Sequence, residues 1–529
     1  MITSKDLRQN NILKTYIPDG LEISREGNII SYCVDVNNIV QTCNKLYFSH
    51  KLQLKTITAV DERNDGGWFR VLYVFGIPRE NIFLVPYIVL SNKEDFPSIT
   101  KDIHEASGYE RKIKTFFGLS PIGHPRIQKI LLHESWPDTI FPLRKDFNWQ
   151  TKPEEIHELY DSQKVKGEGI YEIPVGPVHA GIIEPGHFRF SVAGERIVLL
   201  KPKLGYKHKG AEKLFEILPM EDKVRLSERI SGDTSFTHSM AFCQAIENLS
   251  DIEIPERAKY LRVIFSELER LANHINDIGF IMLDTGYNFG GSNCARLREV
   301  VMQWNERLTG SRFLRGVNTI GGVTRDIESK IAKELLSALK KIHRDFNEVI
   351  EISQSSSSLI NRLSGTGKTD RQIAMDHGII GVAGRAIGFG HDVRIEYPYA
   401  VYNKFKFNIA LEKNGDVLAR WMVRIKEIHS SMFILEEAIL EIPSDKKLKS
   451  DKKAILRKNS YGIGIAEGWR GDIVYFVITD SSGHVNRIDV RDPSFINWTI
   501  LEHSVNNEII PDFPLINKSF NLSYSGNDL

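Results

Sequence analysis

The sequence contains few cysteines, and none of them forms a recognisable pair. Its 529 residues include Cys33, Cys43, Cys243 and Cys294, and no two are spaced as Cys-x-x-Cys. These spacings fit no metal motif, and a cytosolic chain is not expected to form disulfides. The cysteines are therefore interpreted as scattered thiols, with Cys243 and Cys294 packed inside helices.

The chain also lacks an excess of charge and a long apolar run. Lys and Arg number 69 and Asp and Glu 68, which excludes an overall basic field that gathers nucleic acid. The polar start MITSKDLRQNN lacks the apolar stretch of a signal peptide. No run of about 18 apolar residues is present, so no transmembrane segment is predicted. The sequence therefore predicts a cytosolic chain that recognises its partners through a local surface, and docking on a membrane protein remains open.

A chain of this length is expected to fold as two or more domains. Residues 1–150 predict an α+β domain, in which helical spacing is read at Ile99, Ile103 and Ala106. Apolar and β-branched residues predict strands in LQLKTITAVDER, WFRVLYVFGI and ENIFLVPYIVLS. The segment 123–147 is rich in proline and charge, so it predicts an extended arm lying on a neighbour.

Residues 151–169 are polar and weakly patterned, and they are interpreted as a linker. The pattern of apolar residues, glycine and proline changes after this stretch. Residues 170–529 begin with short predicted strands and continue as a mainly helical domain. IPERAKYLRVIFSELERLANHINDIGFIML has apolar residues at a period close to 3.6, and Pro255 suits the first turn of its helix. Helices of this length and pattern predict a bundle that buries their apolar faces.

Four stretches carry a resemblance to a known family. These are VGPVHAGIIEPGHFRF, GERIVLLKPKLGYKHKGAEKLFE, IPERAKYLRVIFSELERLANH and RDPSFINW. They resemble the large subunit of membrane-bound [NiFe] hydrogenases, which is itself similar to the 49-kilodalton-type subunit of NADH:quinone oxidoreductase. GHPRIQKILLHESWPDTIFPLRKDF resembles the 30-kilodalton-type subunit of the same complexes. The fused order resembles the large subunits of formate hydrogenlyase and hydrogenase-4. The resemblance thus implies a 30-kilodalton-type domain followed by a hydrogenase-like domain with a long-helix bundle and small β-sheets.

The resemblance also identifies where a [NiFe] centre would be held, by four cysteines in two Cys-x-x-Cys pairs. The first pair falls on Ser231 and Thr234, and the second on Ser523 and Gly526. An alcohol stays protonated near neutral pH, whereas a thiol, with a pKa of roughly 8.5, is readily deprotonated by a metal. Glycine offers no ligand atom. We therefore expect no metal centre in this chain.

Glu184, Arg470 and Asp233 are candidate site residues, interpreted as parts of either a proton relay or a vestigial cavity. Glu184 falls on the glutamate that exchanges protons with a metal-bound cysteine in hydrogenases, and it is interpreted either as a proton relay or as a carboxylate paired with an arginine such as Arg189. Arg470 falls on the arginine that overhangs the metal ligands. It is expected to pair with Asp233, so that an ion pair fills the site.

Two histidines in the matched stretches are candidate cofactor-binding residues. His187 follows EPG, and His238 follows the first ligand pair. A lone histidine is more often a hydrogen-bonded core or surface residue than a ligand, and His238 is the better candidate. The quinone-reducing branch of the family has a histidine and a tyrosine near positions matched by Glu184 and Asp233, and neither residue type is present here.

The resemblance implies a function within a larger assembly. It implies a peripheral subunit on the inner face of the cell membrane, with an iron–sulfur subunit that carries [4Fe-4S] and antiporter-like membrane subunits as partners. The subunit would couple electron transfer to proton or ion movement without its own [NiFe] centre. Two alternatives stay open: a quinone-reducing subunit with an altered pocket, and a purely structural scaffold.

Overall fold

A computed structural model describes residues 15–18, 20–91, 93–156 and 165–529. The chain divides into two compact units. The first unit runs to residue 158 and also includes residues 458–461 and 478–487, and the second contains the remainder. Part of the predicted linker, residues 157–164, lies outside the described residues.

The first unit is built on a five-stranded sheet with strand order β1-β2-β5-β4-β3. Strands β2 and β5 pair in parallel, and the other pairs are antiparallel. A short parallel pair, β6 with β7, stands apart. The strands are β1 (Ile23–Glu26), β2 (Ile29–Cys33), β3 (Gln53–Asp61), β4 (Phe69–Ile77), β5 (Ile82–Leu90), β6 (Asp95–Pro97) and β7 (Ser120–Ile122). The helices are α1 (Ile39–Asn44), which continues as a π-helical turn (Lys45–Ser49), and α2 (Ser107–Phe117).

The core of the first unit lies on the three long strands. Every residue of β4 from Val71 to Phe75 is fully buried, as the continuous apolar run VLYVF predicts. The strand predictions for β3, β4 and β5 are confirmed. Helix α2 packs against β3, and its side chains Ile113 and Phe116 are buried.

The helical spacing predicted at Ile99, Ile103 and Ala106 is wrong. These residues are buried, but they lie in turns and a short 3₁₀ segment, and the α-helix begins only at Ser107. Burial in an irregular segment can produce the same spacing by coincidence, because a loop packed on a core also needs apolar contacts.

The segment 123–147 contains neither a helix nor a strand, as its proline and charge content predicts. It folds back over its own unit. The Leu143 N–H donates to the Phe116 carbonyl at 3.1 Å, and the Lys145 N–H donates to the Asp61 carboxylate at 2.9 Å. These contacts fix the segment at the end of α2 and at the end of β3.

The second unit contains small sheets and a larger set of helices. Its sheets have the strand orders β10-β9-β8, β11-β12 and β13-β14-β15. The strands are β8 (Ile170–Val175), β9 (His187–Ala193), β10 (Arg196–Lys203), β11 (Asn318–Thr319), β12 (Gly322–Val323), β13 (Tyr461–Gly468), β14 (Gly471–Thr479) and β15 (Val485–Arg491), of which residues 461, 478–479 and 485–487 belong to the first unit.

The helices of the second unit run from residue 211 to residue 528. They are α3 (Ala211–Ile217), α4 (Met220–Ser227), α5 (Ser235–Ser250), α6 (Glu256–Asp284), α7 (Asn288–Thr309), α8 (Ser329–Gln354), α9 (Ser357–Leu363), α10 (Arg371–Asp376), α11 (Gly381–Arg385), α12 (Val393–Glu396), α13 (Val417–Leu440), α14 (Pro493–Ser504), α15 (Phe513–Phe520) and α16 (Tyr524–Asp528). In this unit the α+β architecture with a dominant helical bundle agrees with the sequence prediction.

Helix α6 is the centre of the bundle. It packs against α5, α7 and α13, and its apolar residues, including Leu261, Phe265 and Leu268, are fully buried. Pro255 lies immediately before the helix rather than in its first turn. Close packing with α7 requires Gly279, because an added Cβ there would lie 2.7 Å from the Cβ of Cys294.

Cys243 and Cys294 are buried in α5 and α7, which confirms their predicted packing role. In the described ranges, each helix is too short or too polar to cross a membrane.

Candidate functional site

The turn that precedes α5 is closed by its own hydroxyl groups. Ser231 and Thr234 both donate to Oδ1 of Asp233 at 2.9 Å. The Thr234 N–H donates to the Ser231 carbonyl at 3.1 Å, which completes the turn. Two of the four positions that the resemblance assigns to metal ligands are therefore occupied in hydrogen bonds to a neighbouring carboxylate.

The C-terminal segment lies directly against this turn. The hydroxyl oxygens of Ser231 and Ser523 are 2.8 Å apart. Ser523 also caps α16, where its hydroxyl accepts from the Gly526 N–H at 2.9 Å. The structure thus brings three predicted ligand positions into one buried cluster. The sequence separation of the two serines is 292 residues, so their juxtaposition is a property of the fold.

Arg470 forms the expected pair with Asp233. Its two terminal nitrogens donate to the two carboxylate oxygens at 2.7 and 2.8 Å, and its Nε donates to the Asn521 carbonyl. The guanidinium also stacks on the ring of Trp469 at 3.8 Å. Arg470 therefore joins the turn before α5, the C-terminal segment and the start of β14 through one planar group.

Electrostatics hold Asp233 in its ionised form. Burial alone would raise its pKa, but the charge of Arg470 and hydrogen bonds from Arg470, Ser231 and Thr234 outweigh burial and lower the pKa to about 2. The Asp233 side chain is 39% exposed and that of Arg470 is 5% exposed. The pair therefore has its anion towards solvent and its cation towards the interior.

Glu184 lies at the C-terminal segment. Its Oε2 accepts from the Ser525 N–H at 3.0 Å, and its Oε1 is 4.0 Å from Nζ of Lys207. Lys207 is therefore a cation close to Glu184, and a pairing of Glu184 with Arg189 stays a prediction. The carboxylate is 35% exposed, so it contacts both solvent and the segment that contains Ser523.

A second cation, Lys209, connects the same two segments. Its ammonium group donates to the Ile230 carbonyl at 3.1 Å and the Ser525 carbonyl at 3.5 Å. Burial lowers the pKa of Lys209, and the nearby charge of Glu184 partly opposes this. Sequence reasoning missed Lys209, although its stretch GYKHKGAEK lies in one of the matched motifs.

At the fourth ligand position, Gly526, the space that a side chain would need is filled by Asp492. A Cβ added at Gly526 would lie 2.5 Å from Oδ2 of Asp492, closer than two non-bonded atoms can approach. The same oxygen is 3.0 Å from Nε2 of His238, whose Nδ1 is 3.0 Å from the hydroxyl of Tyr475. A side chain at position 526 would therefore displace a buried carboxylate from its histidine.

These contacts decide whether a [NiFe] centre fits. Thiolates suit nickel and iron because they are soft donors that bridge two metals. Here Ser231 and Ser523 bond to each other, and Thr234 bonds to Asp233 and to the indole N–H of Trp469. Position 526 has no room for a ligand. The residues do not fit a dinuclear [NiFe] centre.

Cation-binding clusters are also absent elsewhere in the part of the chain that the structure describes. There, no three His, Cys, Asp or Glu side chains are placed to hold a metal ion. The expectation that this chain binds no metal through Ser231, Thr234, Ser523 and Gly526 remains a prediction about the protein in solution, and a metal analysis tests it.

The two candidate histidines have different surroundings. His238 is fully buried, and both its ring nitrogens already have partners, so binding a cofactor would require breaking one of these bonds. His187 begins β9. Burial lowers its pKa, and the cations Arg189 and Lys203 act in the same direction. No contact places it with the buried cluster, and its role as a cofactor ligand stays a prediction.

Asp492 and Ser525 are site residues that sequence reasoning missed. Asp492 belongs to the matched stretch RDPSFINW, where it caps α14 by accepting from the Ser494 N–H at 2.7 Å. An Asp before Pro at a helix start is an ordinary capping signal, and it concealed the second contact with His238. Ser525 contributes only backbone atoms to Glu184 and Lys209, so no side-chain pattern could identify it.

Family models match most of the chain. The model of the 30-kilodalton subunit of respiratory-chain NADH dehydrogenase matches residues 32–153. The model of the 49-kilodalton subunit of the same enzyme matches residues 284–462 and 458–528. The order of the two matches is the fused order that the sequence predicts.

Individual relatives agree with the family models. Formate hydrogenlyase subunit 5 of Escherichia coli is 30% identical over 94% of this chain and 89% of its own length. Hydrogenase-4 component G of the same organism is 31% identical over 98% of this chain and 91% of its own length. The C/D subunit of an NADH-quinone oxidoreductase from Phocaeicola vulgatus is 31% identical over 74% of this chain and 79% of its own length.

A solved structure resembles the larger part of the fold. A chain of the membrane-bound sulfane sulfur reductase, an archaeal respiratory membrane complex, superposes with a TM-score of 0.65 and 26% identity, over 68% of this chain and 99% of that chain. Together with the family models and the two Escherichia coli relatives, this shows that the chain belongs to the family of fused 30-kilodalton-type and 49-kilodalton-type subunits of respiratory NADH dehydrogenase, formate hydrogenlyase and hydrogenase-4.

Proposed function

We propose that this chain is the large peripheral subunit of a membrane-associated oxidoreductase complex related to hydrogenase-4, formate hydrogenlyase and NADH-quinone oxidoreductase, and that it works without its own [NiFe] centre. In this role it couples electron transfer to proton or ion movement. The observation that carries the metal-free part is the closed cluster of Ser231, Asp233, Arg470 and Ser523.

The coupling role is supported by the position of ionisable groups around that cluster. Glu184 contacts solvent and the C-terminal segment together, and Lys209 spans the two segments that the resemblance assigns to metal ligands. A charge change at Lys209 therefore acts on both segments, and one at Glu184 acts on the second segment through its charge on Lys209. A dinuclear centre would join these segments by coordination, whereas here hydrogen bonds and an ion pair join them.

The complexes to which the relatives belong support the partners that we propose. The matched structure belongs to a respiratory membrane complex, and the matched Escherichia coli chains are a subunit of formate hydrogenlyase and a component of hydrogenase-4. We propose an iron–sulfur subunit with a [4Fe-4S] cluster and antiporter-like membrane subunits as neighbours, on the inner face of the cell membrane. Quinone is a redox partner only in the alternative of a quinone-reducing subunit with an altered pocket.

Metal analysis of the purified full-length chain and its complex tests the metal-free part. We expect nickel well below one atom per chain, while iron in the complex follows the number of iron–sulfur clusters. Stoichiometric nickel that survives chelation and co-purifies with this chain would contradict the proposal. A Ser231→Ala variant provides a control, because a genuine ligand site would lose its nickel in this variant.

The coupling part is tested in proteoliposomes that contain the complex. Reduced methyl viologen serves as the artificial electron donor, and a pH-sensitive dye reports proton movement. We expect Glu184→Gln to reduce proton movement per electron while the complex still assembles. Glu412→Gln is the matched control, because Glu412 pairs with Lys426 on a different part of the unit.

Two outcomes distinguish the alternatives. Proton movement that is unchanged in Glu184→Gln would favour a structural scaffold. Quinone reduction that is lost in an Arg470→Met variant, measured in the same assay, would favour a quinone-reducing subunit with an altered pocket.

A further inference from the structure

A small cleft opens next to the Asp233–Arg470 pair, between the turn before α5, helices α6 and α7, and the segment that follows α7. Asp233, Glu269, Arg298, Asn305 and Arg312 are among the residues that line it. The cleft has about 10 Å³ of space for the centre of a water-sized molecule, which is about the minimum that one water requires. It is therefore too small for an organic substrate.

Two polar atoms of residues that line this cleft lack a hydrogen-bond partner. Asn305 is 2% exposed, and its Nδ2 donates to the Arg312 carbonyl at 3.2 Å. That bond fixes the orientation of the amide and leaves Oδ1 buried without a hydrogen bond. The Nε of Arg298 is also buried without a partner. One unsatisfied acceptor and one unsatisfied donor on residues that line a cleft of this size call for a molecule that both donates and accepts, as water does.

The cleft is also lined by Glu269, whose carboxyl group lies at the start of helix α5. Glu269 accepts from the N–H groups of Phe236 and Thr237 at 2.7 and 3.1 Å, and from the Thr237 hydroxyl at 2.5 Å. It thereby caps α5 from the neighbouring helix α6. The hydroxyl of Thr237 can accept as well as donate, so the carboxyl group keeps a partner when it is protonated.

We propose that the cleft holds one ordered water molecule between Asn305, Arg298 and Glu269, and that this water and the Glu269 carboxyl group form a proton port beside the Asp233–Arg470 pair. In the outward step the carboxylic acid gives its proton to the water, which passes a proton to solvent, and the carboxylate remains on α6. The inward step is the reverse. No electron moves, and the charge at Glu269 changes by one unit.

The charges around Glu269 suit a group that titrates. Burial raises the pKa of Glu269, the bonds from Thr237 and Phe236 oppose this, and the charge of Asp233 adds to the rise, so that the pKa is about 7. Arg298 and Arg312 face the cleft from α7 and the segment beyond it. On the far side of the α5 start, Glu228 accepts from the Gly316 N–H and Arg315 donates to Ser235.

The proton port is proposed as one part of the coupling function, and its purpose in the complex rests on that proposed function. Ionisation of Glu269 places a second negative charge near Asp233, which changes the field that holds Arg470. The protonation chemistry itself depends on this chain alone. It can therefore be tested separately from electron transfer and ion transport.

Infrared difference spectroscopy of the isolated full-length chain tests the titration. The C=O band of a protonated carboxyl group is followed from pH 5 to pH 9. Burial raises the pKa of Glu467 to about 7 as well, so the wild type is expected to lose at least two such bands in this range. Glu269→Gln should lose one band fewer than the wild type, and Glu467→Gln, the matched variant, identifies the other band.

The cleft itself is tested by hydrogen–deuterium exchange of the same carboxyl band after mixing with D₂O. Asn305→Leu removes the unsatisfied acceptor and fills the cleft, so exchange of the Glu269 band should slow by about an order of magnitude because the bridging water is lost. Asn293→Leu is the matched control on the same helix, since Asn293 bonds to Phe289 near the helix start.

A Thr237→Val variant keeps the test decisive if Glu269→Gln fails to fold. It removes one donor to the carboxylate, so the Glu269 band should titrate at a higher pH. The port is overturned if neither Glu269→Gln nor Thr237→Val changes the titrating bands. It is also overturned if Asn305→Leu exchanges as fast as Asn293→Leu. A different result would count against the coupling function: Glu269 titrates as expected, but proteoliposomes that contain the complex show no proton movement.

Discussion

Arg470 and Asp233 are 237 positions apart in the sequence and are joined by two hydrogen bonds of 2.7 and 2.8 Å. Their pairing ties the turn before α5 to the start of β14. The geometry is a fork of two parallel N–H donors to two carboxylate oxygens, which is the strongest form of a charge-assisted contact. Through the bond from Nε of Arg470 to the Asn521 carbonyl, the pair also contacts the C-terminal segment.

Asp233→Asn should destabilise the second unit, because the buried Arg470 then loses the carboxylate charge to which it donates two hydrogen bonds. Breaking a fully buried pair costs about 3–5 kcal/mol, and the partial exposure of Asp233 reduces the expected cost to about 1–2 kcal/mol. The measurement is the free energy of unfolding from urea denaturation followed by tryptophan fluorescence, since Trp469 stacks on Arg470.

Asp222→Asn is the matched control for this substitution. Asp222 pairs with Arg225 on the surface of α4, with side chains 43% and 67% exposed, and its loss should change stability by less than about 0.5 kcal/mol. A double-mutant cycle with Arg470→Met isolates the pair. Equal effects of Asp233→Asn and Asp222→Asn would show that the buried pair contributes nothing.

The same pair predicts a dependence of stability on acid pH. The pKa of Asp233 is about 2 in the folded chain and 3.8 for an unperturbed group, so the folded state binds the proton more weakly than the unfolded state. Its contribution is fully present above pH 4 and is lost as the pH falls towards 2. The stability difference between the wild type and Asp233→Asn should therefore shrink below pH 4. A constant difference from pH 6 to pH 3 would refute this origin.

Gly526 should not tolerate a side chain. An alanine Cβ there would lie 2.5 Å from Oδ2 of Asp492, and overpacking of this kind costs about 1–3 kcal/mol. The expected readout is a lower melting temperature for Gly526→Ala than for the wild type. Gly232→Ala is the matched control, because an added Cβ there meets only Arg315, at 3.5 Å. Comparable melting temperatures for the two variants would contradict the packing argument.

The regular elements can be predicted from sequence where one pattern decides the structure. The run VLYVF is buried on both faces of a sheet, and the apolar residues of α6 have helical spacing, so β4 and α6 follow from local signals. The spacing misplaces the start of the helix at 107–117 because Ile99 and Ile103 are buried in a loop. Local spacing does not reveal whether a buried residue belongs to a helix.

The site can be predicted only in part, because most of its contacts join distant segments. The loss of the four ligands at Ser231, Thr234, Ser523 and Gly526 is visible in the sequence, as is the pairing of Arg470 with Asp233. The contact of Asp492 with His238 spans 254 residues and has no local pattern. Glu269 resembles any charged residue on a long helix until the fold places it at the start of α5.

Glu269 and His274, on the same helix, should change the stability of the chain with pH in opposite directions. Burial lowers the pKa of His274 to about 4, although Glu427 partly opposes this. The pKa of Glu269 is raised to about 7. Each pKa differs by about 2.5 from that of an unperturbed group, which corresponds to about 3 kcal/mol for each residue.

The signs follow from which state binds the proton. His274 is neutral when folded, so its contribution is present above pH 6.5 and is lost as the pH falls towards 4. Glu269 keeps its proton when folded, so its contribution is present below pH 4.5 and is lost as the pH rises towards 7. The two slopes oppose each other between pH 4.5 and 6.5, so each variant is compared with the wild type.

Single variants should separate the two slopes. Relative to the wild type, Glu269→Gln should gain stability as the pH rises from 4.5 to 6.5, because the falling contribution of Glu269 is removed. His274→Gln should become less stable over the same range. The measurement is the free energy of unfolding at four pH values for each variant and the wild type. If both variants keep the wild-type profile, neither residue titrates in the buried state that the structure gives it.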